Sequence, residues 1–266
     1  MIGAIANPAI ALISPILAQV QIREPGTETS CVARNGAFCL DWAIDNFDRY
    51  TTPLLQHIVL VTVSVSIGFL IAMTMAVISH RRRWLQSGFL GATGILYTVP
   101  SLAFFFLLLP ITGRGNDTAV IALTAYTLQI IYRNIMAGLS NVPPEMRDAA
   151  RGMGMNDRQL LWKVEMPLAL PEIIAGVRIA TVSTVAIATL AVFAGGDGLG
   201  SELYGALQEN VFKTGIIIAG GLAILLAITL DLLLLLLQKR LTRWRSGPAR
   251  RPRMLDRIPV GQGAPT

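Results

Sequence analysis

Side chains that could carry out catalysis are few and widely separated in this 266-residue sequence. The two histidines, His57 and His80, stand alone at the two ends of one apolar run and are predicted to be interfacial side chains. The serines of the apolar runs have no obvious base beside them, and such hydroxyls usually bond to the backbone or to neighbouring helices. Residues 1–266 contain no GxxxxGK[ST] phosphate-binding loop. We therefore predict that the chain is not an enzyme.

The only two cysteines, Cys31 and Cys39, are close enough in sequence to close a small loop as a disulfide. Such a bond persists in an oxidising compartment, so the prediction depends on where this segment lies. Two unrelated buried thiols are the alternative, and spacing does not decide between them. No metal site is predicted, because no histidine lies nearby and four ligands cannot be assembled.

Three charged residues, Asp231, Arg178 and Arg133, lie within otherwise apolar runs. A charge inside a bilayer is costly and is normally paired. Our hypothesis is that Asp231 forms an ion pair with Arg178 or with Arg133 and thereby fixes helix packing. The alternative is that each side chain extends separately to the membrane interface.

The most informative polar segment is residues 143–167, which lies between long apolar runs. Pro143 and Pro144 can begin a helix, because the missing N–H groups fall where a first turn has no partners. Ala149 and Ala150 leave one face of that helix almost without side chains, so another protein could approach its backbone. The segment therefore has the character of a docking surface.

The second half of the same segment has the signals of a turn and a further helix. Gly152 and Gly154 permit a sharp turn that a residue with a Cβ atom would resist. Asn156 and Gln159 have the spacing of a capping box, which predicts a helix start. Pro167 is predicted to mark the return of the chain to the membrane. An ordinary pair of surface helices is the alternative.

Membrane-spanning helices must position all of these residues. The sequence is 53% hydrophobic and only 14% charged, and its mean hydropathy is +0.58. A bilayer core requires roughly 20 apolar residues in a helix. The predicted fold class is therefore an all-α polytopic membrane protein, and five windows can each hold one span: 50–80, 84–113, 119–139, 173–194 and 215–237.

The distribution of lysine and arginine predicts the orientation of these spans. The segment around 81–83, the loop 140–168 and the tail from residue 239 carry fifteen basic residues, whereas segments 21–53, 111–118 and 195–213 carry five. The positive-inside rule then places the first group in the cytoplasm. The net charge of +6 is explained by this topology, so nucleic acid is not needed as a partner.

The ends of the chain are assigned separately from the core. Residues 1–22 contain no charged side chain and are predicted to be an uncleaved N-terminal anchor, with a cleaved export signal as the alternative. Residues 1–53 would then comprise this anchor or signal and a periplasmic segment. Residues 54–240 are predicted to form the transmembrane domain, and residues 241–266 a basic, disordered cytoplasmic tail.

The spacing within 143–167 resembles the signature of type I ABC import permeases: Glu-Ala-Ala, three residues, Gly, nine residues, then Ile-x-Leu-Pro. The matching positions, with no insertion or deletion, are Asp148-Ala149-Ala150, Gly154 and Val164-Glu165-Met166-Pro167. The departures are Asp148 for Glu, Val164 for Ile and Met166 for Leu. The resemblance covers residues 54–240 and implies that this loop, Gly152 included, couples the permease to an ATPase.

A narrower resemblance is to the osmoprotectant branch, which imports glycine betaine, choline, carnitine or proline. It rests on the segments 98–103, 151–155, 167–178 and 195–200. This resemblance implies a second permease subunit, identical or related, a periplasmic binding protein, and an inner-membrane location with surrounding lipid. It also implies a cytoplasmic ATPase subunit that binds ATP and Mg²⁺, so this chain needs no cofactor of its own.

The predicted translocation path is read from hydroxyls and a proline within the spans. Thr98, Pro100 and Ser101 interrupt the second span, where proline frees backbone carbonyls. Thr181 and Thr184 add hydroxyls to the fourth span, with helix packing as the alternative for all five. Because only 7% of the chain is aromatic, selection of a quaternary ammonium is assigned to the binding protein. The alternative functions are import of another small solute, such as an amino acid, or ATP-independent transport.

Overall fold

The computed structural model describes residues 31–242, where helices are the only regular secondary structure. The α-helices in chain order are α1 (Leu40–Asp45), α2 (Thr51–Ser79), α3 (Arg83–Thr98), α4 (Ser101–Thr112), α5 (Asn116–Ser140), α6 (Pro144–Gly152), α7 (Asp157–Leu160), α8 (Met166–Ala188), α9 (Leu199–Gln208) and α10 (Lys213–Leu241). Two 3-10 turns cover Phe47–Tyr50 and Ala191–Ala194, and a π turn covers Leu161–Glu165.

Four continuous helical stretches are long and apolar enough to cross a membrane: Phe47–Ser79, Asn116–Ser140, Asp157–Ala188 and Lys213–Leu241. At about 1.5 Å per residue, each exceeds the roughly 30 Å of a hydrocarbon core. They correspond to the first, third, fourth and fifth predicted spans. The fourth begins earlier than the sequence predicts, because the polar loop helix continues into it without a break.

The second predicted span is a pair of helices, α3 and α4, which meet at an angle of 98°. Its start lies beside the end of the bundle where His80 contacts Glu165. Its far end lies at the opposite end, where the Gly115 amide donates to the Ala194 carbonyl. A re-entrant loop would return to its starting side, so the pair is one broken span. The prediction of five core spans is confirmed.

Helix α5 is the centre of the bundle and packs most extensively against α8 and α2. Small residues allow this close approach. A Cβ atom added at Gly68 of α2 would come 1.8 Å from the Thr127 hydroxyl oxygen, and one at Gly176 of α8 would come 2.5 Å from the Asn134 Cβ. By contrast, α10 lies at the periphery, where few of its apolar side chains are covered by other helices.

The two ends of the bundle contain the groups of segments that the charge distribution predicts. At one end, Arg81 forms a salt bridge with Asp157, which joins the α2–α3 turn to the 143–167 loop. At the other end, Arg49 lies 2.5 Å from Glu202, and Asn116 donates to Asp197. These contacts confirm the predicted grouping of segments. The anchor at 1–22 and nearly all of the tail lie outside the described residues.

Candidate functional site

The first half of the 143–167 loop is α6, which presents a polar helix at one end of the bundle. Asp148 and Ala149 are exposed, but Ala150 is only 1% exposed. The expectation that both alanines form one bare face is therefore wrong, since positions one residue apart on a helix point in different directions. Ala150 packs inward, and the accessible surface is formed by Asp148 and Ala149 with the exposed Met146 and Met153.

The turn after α6 depends on one glycine rather than on two. Gly154 has φ +79°, a left-handed conformation that disfavours side chains with a Cβ atom. Gly152 is the last residue of α6 and has no such constraint. The next helix begins at the predicted capping box, which is confirmed: the Gln159 amide donates to the Asn156 side chain, and the Asn156 amide donates to the Gln159 side chain.

The second half of the loop forms an open cavity of about 370 Å³ on the protein surface. Its lining is cationic and aromatic, because Arg158, Lys163 and the half-exposed Trp162 contribute to it together with Asn156 and Gln159. Arg158 and Lys163 give this surface a positive character. A negatively charged side chain of a docked protein could enter such a cavity.

Loop and membrane helix are continuous through the signature residues. Val164 lies in the π turn, Met166 is buried at the start of α8, and Pro167 is exposed one residue later. Pro167 has no N–H to donate to the carbonyl four residues earlier, and the helix widens into a π turn at this point. Pro167 lies in the first turn of α8, where the sequence predicts the return of the chain to the membrane, and no break separates it from the loop.

Glu165 anchors the loop to the bundle, a role that the sequence reading missed. Its side chain is almost fully buried, and its carboxylate lies 2.8 Å from His80 Nε2 and 2.8 Å from Arg147 Nε. Arg147 also donates to the Leu139 carbonyl at 2.7 Å. That carbonyl belongs to the last turn of α5, which has no partner within its own helix. The end of α2, helix α6 and the π turn are therefore joined at the Glu165 carboxylate.

The intramembrane charges are arranged as one ion pair and one separate arginine. Arg178 of α8 donates to both carboxylate oxygens of Asp231 of α10, at 2.9 and 2.8 Å. Gln238 accepts from Arg178 at 3.2 Å and donates to the Pro171 carbonyl at 3.0 Å. Arg133 is exposed and has no ion-pair partner within residues 31–242. Arg178 is thus the partner of Asp231.

The break between α3 and α4 exposes irregular backbone in the middle of a span. Thr98 and Pro100 are exposed there, and Ser101 is partly exposed. The Val99 carbonyl, which the bend removes from the helical pattern, accepts a hydrogen bond from the Tyr126 hydroxyl of α5. This bond satisfies a backbone group that would otherwise be costly at membrane depth.

The two hydroxyls of the fourth span that are predicted to line the translocation path form hydrogen bonds with the backbone of their own helix. Thr181 donates to the Val177 carbonyl at 2.8 Å, and Thr184 donates to the Ala180 carbonyl at 2.7 Å. Both side chains are buried on α8. Both hydroxyls therefore bond as the helix-packing alternative predicts, whereas the exposed polar residues of the second span lie at the α3–α4 bend.

At the opposite end, a small cap covers the turn between α9 and α10. Cys31 and Cys39 are joined by a disulfide, and the Cys39 amide donates to Thr214 at 2.9 Å. Asn35 donates to the Asn210 and Val211 carbonyls at 3.2 and 3.1 Å. Residues 31–242 contain no group of His, Cys, Asp and Glu side chains placed to hold a metal ion.

Comparison with known proteins decides what this arrangement is. A family model described as "Binding-protein-dependent transport system inner membrane component" matches residues 65–243. The chain belongs to this family. It is the membrane-spanning permease subunit of an ABC importer and a multi-pass inner-membrane protein.

Two relatives illustrate the relationship. The permease is 37% identical over 209 residues to the osmoprotectant import permease protein OsmW of Salmonella typhimurium, a match that covers 76% of this chain and 96% of OsmW. It is 34% identical over 188 residues to the choline transport system permease protein OpuBB of Bacillus subtilis, with 70% and 86% of the two chains covered.

Solved structures support the fold of the permease. A chain of the MetNI methionine ABC transporter is similar with a TM-score of 0.60 and 20% identity, over 73% of this permease and 94% of that chain. A chain of an amino acid ABC transporter has a TM-score of 0.64 and 18% identity, over 74% and 96%. The predicted type I ABC permease fold is confirmed.

The histidines of the permease are placed differently from the sequence-based expectation. His57 is fully buried, and its Nε2 lies 3.1 Å from the Val185 carbonyl of α8, so the interfacial assignment is wrong for it. His80 lies at the loop end, where it contacts Glu165. The sequence contains one signal for the Glu165 contacts, because an acidic residue next to the apolar start of α8 needs a partner. Its partners His80 and Arg147 lie 85 and 18 residues away in the sequence, so the sequence does not identify them.

Proposed function

We propose that this permease imports small osmoprotectants that carry a quaternary ammonium group, such as glycine betaine, choline or carnitine. The observation that carries the proposal is the 37% identity to an osmoprotectant import permease over 96% of that relative's length. A choline permease aligned over most of its length supports the same substrate class. Selection of the solute is assigned to a periplasmic binding protein that delivers it to the permease.

The proposed ATPase contact is the 143–167 loop. Its exposed surface consists of Asp148, Ala149 and Met153 on one side of the Gly154 turn, and the cationic cavity with Trp162 on the other. We expect the ATPase partner to bind ATP and Mg²⁺, and this chain to carry neither. Movement of the docked ATPase would be transmitted through the π turn directly into α8, because no break separates loop and span.

The proposed orientation places this loop in the cytoplasm and the disulfide cap in the periplasm. The excess of basic residues at the loop end supports it through the positive-inside rule. The cap fits the same orientation, because a disulfide is favoured in an oxidising compartment. A second permease subunit, either a copy of this chain or a related one, would complete the path.

Gly154→Val tests the coupling role of the loop. A β-branched residue at φ +79° costs about 1–3 kcal/mol of backbone strain, so the turn should open and the affinity for the ATPase should fall roughly tenfold. The measurement is co-purification of the ATPase subunit with the permease from membranes. Gly88→Val is the matched control, since that glycine is helical, has open space around its Cα and lies outside the loop.

The substrate class is tested by transport in proteoliposomes that contain the permease, its ATPase and its binding protein. Import of radiolabelled choline or glycine betaine is expected to depend on ATP and on the binding protein. The same assay completes the test of coupling: if the Gly154→Val variant retains the ATPase and full transport, the loop is not the coupling element. If amino acids are imported and quaternary ammonium solutes are not, the substrate assignment is wrong.

A further inference from the structure

The bend between α3 and α4 exposes polar groups at a depth where lipid would not tolerate them. It lies between a 16-residue and a 12-residue helix that together make one span. Tyr97 is 45% exposed, and its hydroxyl makes no hydrogen bond within residues 31–242. Tyrosines that face lipid are normally found at the interfaces. Exposed irregular backbone in mid-membrane is tolerated where it lines a water-filled cavity or is covered by protein.

Three aromatic rings stand together at this bend, although the chain has few aromatic residues. The ring centroid of Tyr126 lies 5.9 Å from that of Tyr97 and 5.8 Å from that of Phe104. Both pairs are close to perpendicular, at 67° and 88°. The Tyr126 hydroxyl is held by the Val99 carbonyl, which fixes the ring between the other two. The three rings form an aromatic surface of fixed orientation, in which Tyr97 is exposed.

The lack of charged side chains around this surface favours a weakly hydrated cation over a strongly hydrated one. The window 84–113, which contains the bend, has no acidic or basic residue. The nearest exposed charge on α5 is Arg133, seven residues or roughly 10 Å along the helix from Tyr126. A metal ion or a primary ammonium would lose strong hydration here without gaining a carboxylate. A methylated ammonium loses little hydration and is attracted by the negative face of an aromatic ring.

We propose that Tyr97, oriented by Tyr126 and Phe104, forms a transient binding site in the translocation path for the quaternary ammonium group of the solute. The site receives the cation after the binding protein releases it and holds it while the span rearranges. This inference rests on the proposed substrate class, and it assigns to the permease a second contact with the same chemical group. The Val99 carbonyl, already bonded to Tyr126, contributes a fixed dipole beside the rings.

The test uses the reconstituted complex with its ATPase and a saturating amount of choline-loaded binding protein, so that affinity of the binding protein does not enter. The measured quantity is the number of choline molecules imported per ATP hydrolysed. Tyr97→Leu should lower this ratio roughly tenfold, whereas Tyr97→Phe should change it by less than about twofold, because the ring face remains. Trp84→Leu, an exposed aromatic residue at the start of α3, is the matched control.

A graded substitution separates cation binding from packing. Phenylalanine analogues with one, two and three ring fluorines at position 97 keep the size of the side chain while weakening the negative face of the ring. The imported choline per ATP should fall stepwise along this series. A flat series, or equal ratios for Tyr97→Leu and Tyr97→Phe, would overturn the site while leaving the proposed function intact. A wild-type complex that imports no choline or glycine betaine would overturn both.

Discussion

At the scale of single residues, Glu165 explains how a polar loop is held against an apolar bundle. A buried carboxylate is costly unless charged or polar partners surround it. Here His80 and Arg147 supply them from two other elements. Glu165 occupies the variable position of the signature Val164-Glu165-Met166-Pro167, so the family pattern gives no reason to expect a role for it.

We predict that Glu165→Gln weakens the attachment of the loop without changing its shape. The amide has the same size, but hydrogen bonds to charged groups contribute about 1.5–3 kcal/mol and at least one of them is lost or weakened. The thermal unfolding midpoint of the purified permease should fall, and stimulation of the ATPase by loaded binding protein should fall with it.

Glu145→Gln is the control for this prediction, since Glu145 is an exposed carboxylate in the first turn of α6. Its substitution should change stability by less than about 0.5 kcal/mol. Identical unfolding midpoints and ATPase stimulation for the two variants would contradict the anchoring role of Glu165.

At the scale of helices, close contact between α2, α5 and α8 depends on residues that leave room for a neighbouring backbone. In membranes, helix association relies on packing and interhelical hydrogen bonds, because lipid is as apolar as the helices. Gly68 lies against Thr127, whose hydroxyl donates to the Thr124 carbonyl at 2.7 Å. Even one methyl group at position 68 would therefore displace a bonded side chain.

Gly68→Ala is expected to destabilise the permease by about 1–3 kcal/mol through overpacking, despite the better helix propensity of alanine. The measurement is the fraction that remains monodisperse after heating in detergent. Gly221→Ala provides the comparison, because a Cβ atom at position 221 of α10 meets no neighbour within 4 Å. If Gly68→Ala is as stable as Gly221→Ala, the α2–α5 contact is looser than described.

At the scale of the whole molecule, the two ends of the bundle differ in chemistry. The loop end contains the Glu165 cluster and the cationic cavity, and the opposite end contains the disulfide cap. The contacts decide which segments share an end. The excess of basic residues at the loop end supports the proposal that this end faces the cytoplasm.

Labelling of single cysteines should reveal that orientation. In a Cys31→Ser/Cys39→Ser background, Asp48→Cys at the cap end should react with a membrane-impermeant maleimide in cells with a permeabilised outer membrane. Arg82→Cys, in the α2–α3 turn at the loop end, should react only after the inner membrane is opened. Both positions are exposed, so they differ only in the end of the bundle on which they lie. The reverse labelling pattern would invert the proposed topology.

Sequence alone determined the features that depend on neighbouring residues along the chain. Apolar windows of sufficient length predicted the five spans, and Asn156 with Gln159 predicted the start of α7. These features are local because a helix forms its hydrogen bonds within itself and a cap bonds within its own first turn. The spacing of the 143–167 loop, likewise a local property, indicated the family.

Tertiary structure decided every feature that depends on which helices become neighbours. It paired Asp231 with Arg178 rather than Arg133, turned Ala150 inward, and brought His80 to Glu165. It also placed three scattered aromatic rings at one bend. An apolar span can present any of its faces to several neighbours, so composition and periodicity do not select one. Side-chain packing between small residues makes that selection in the folded bundle.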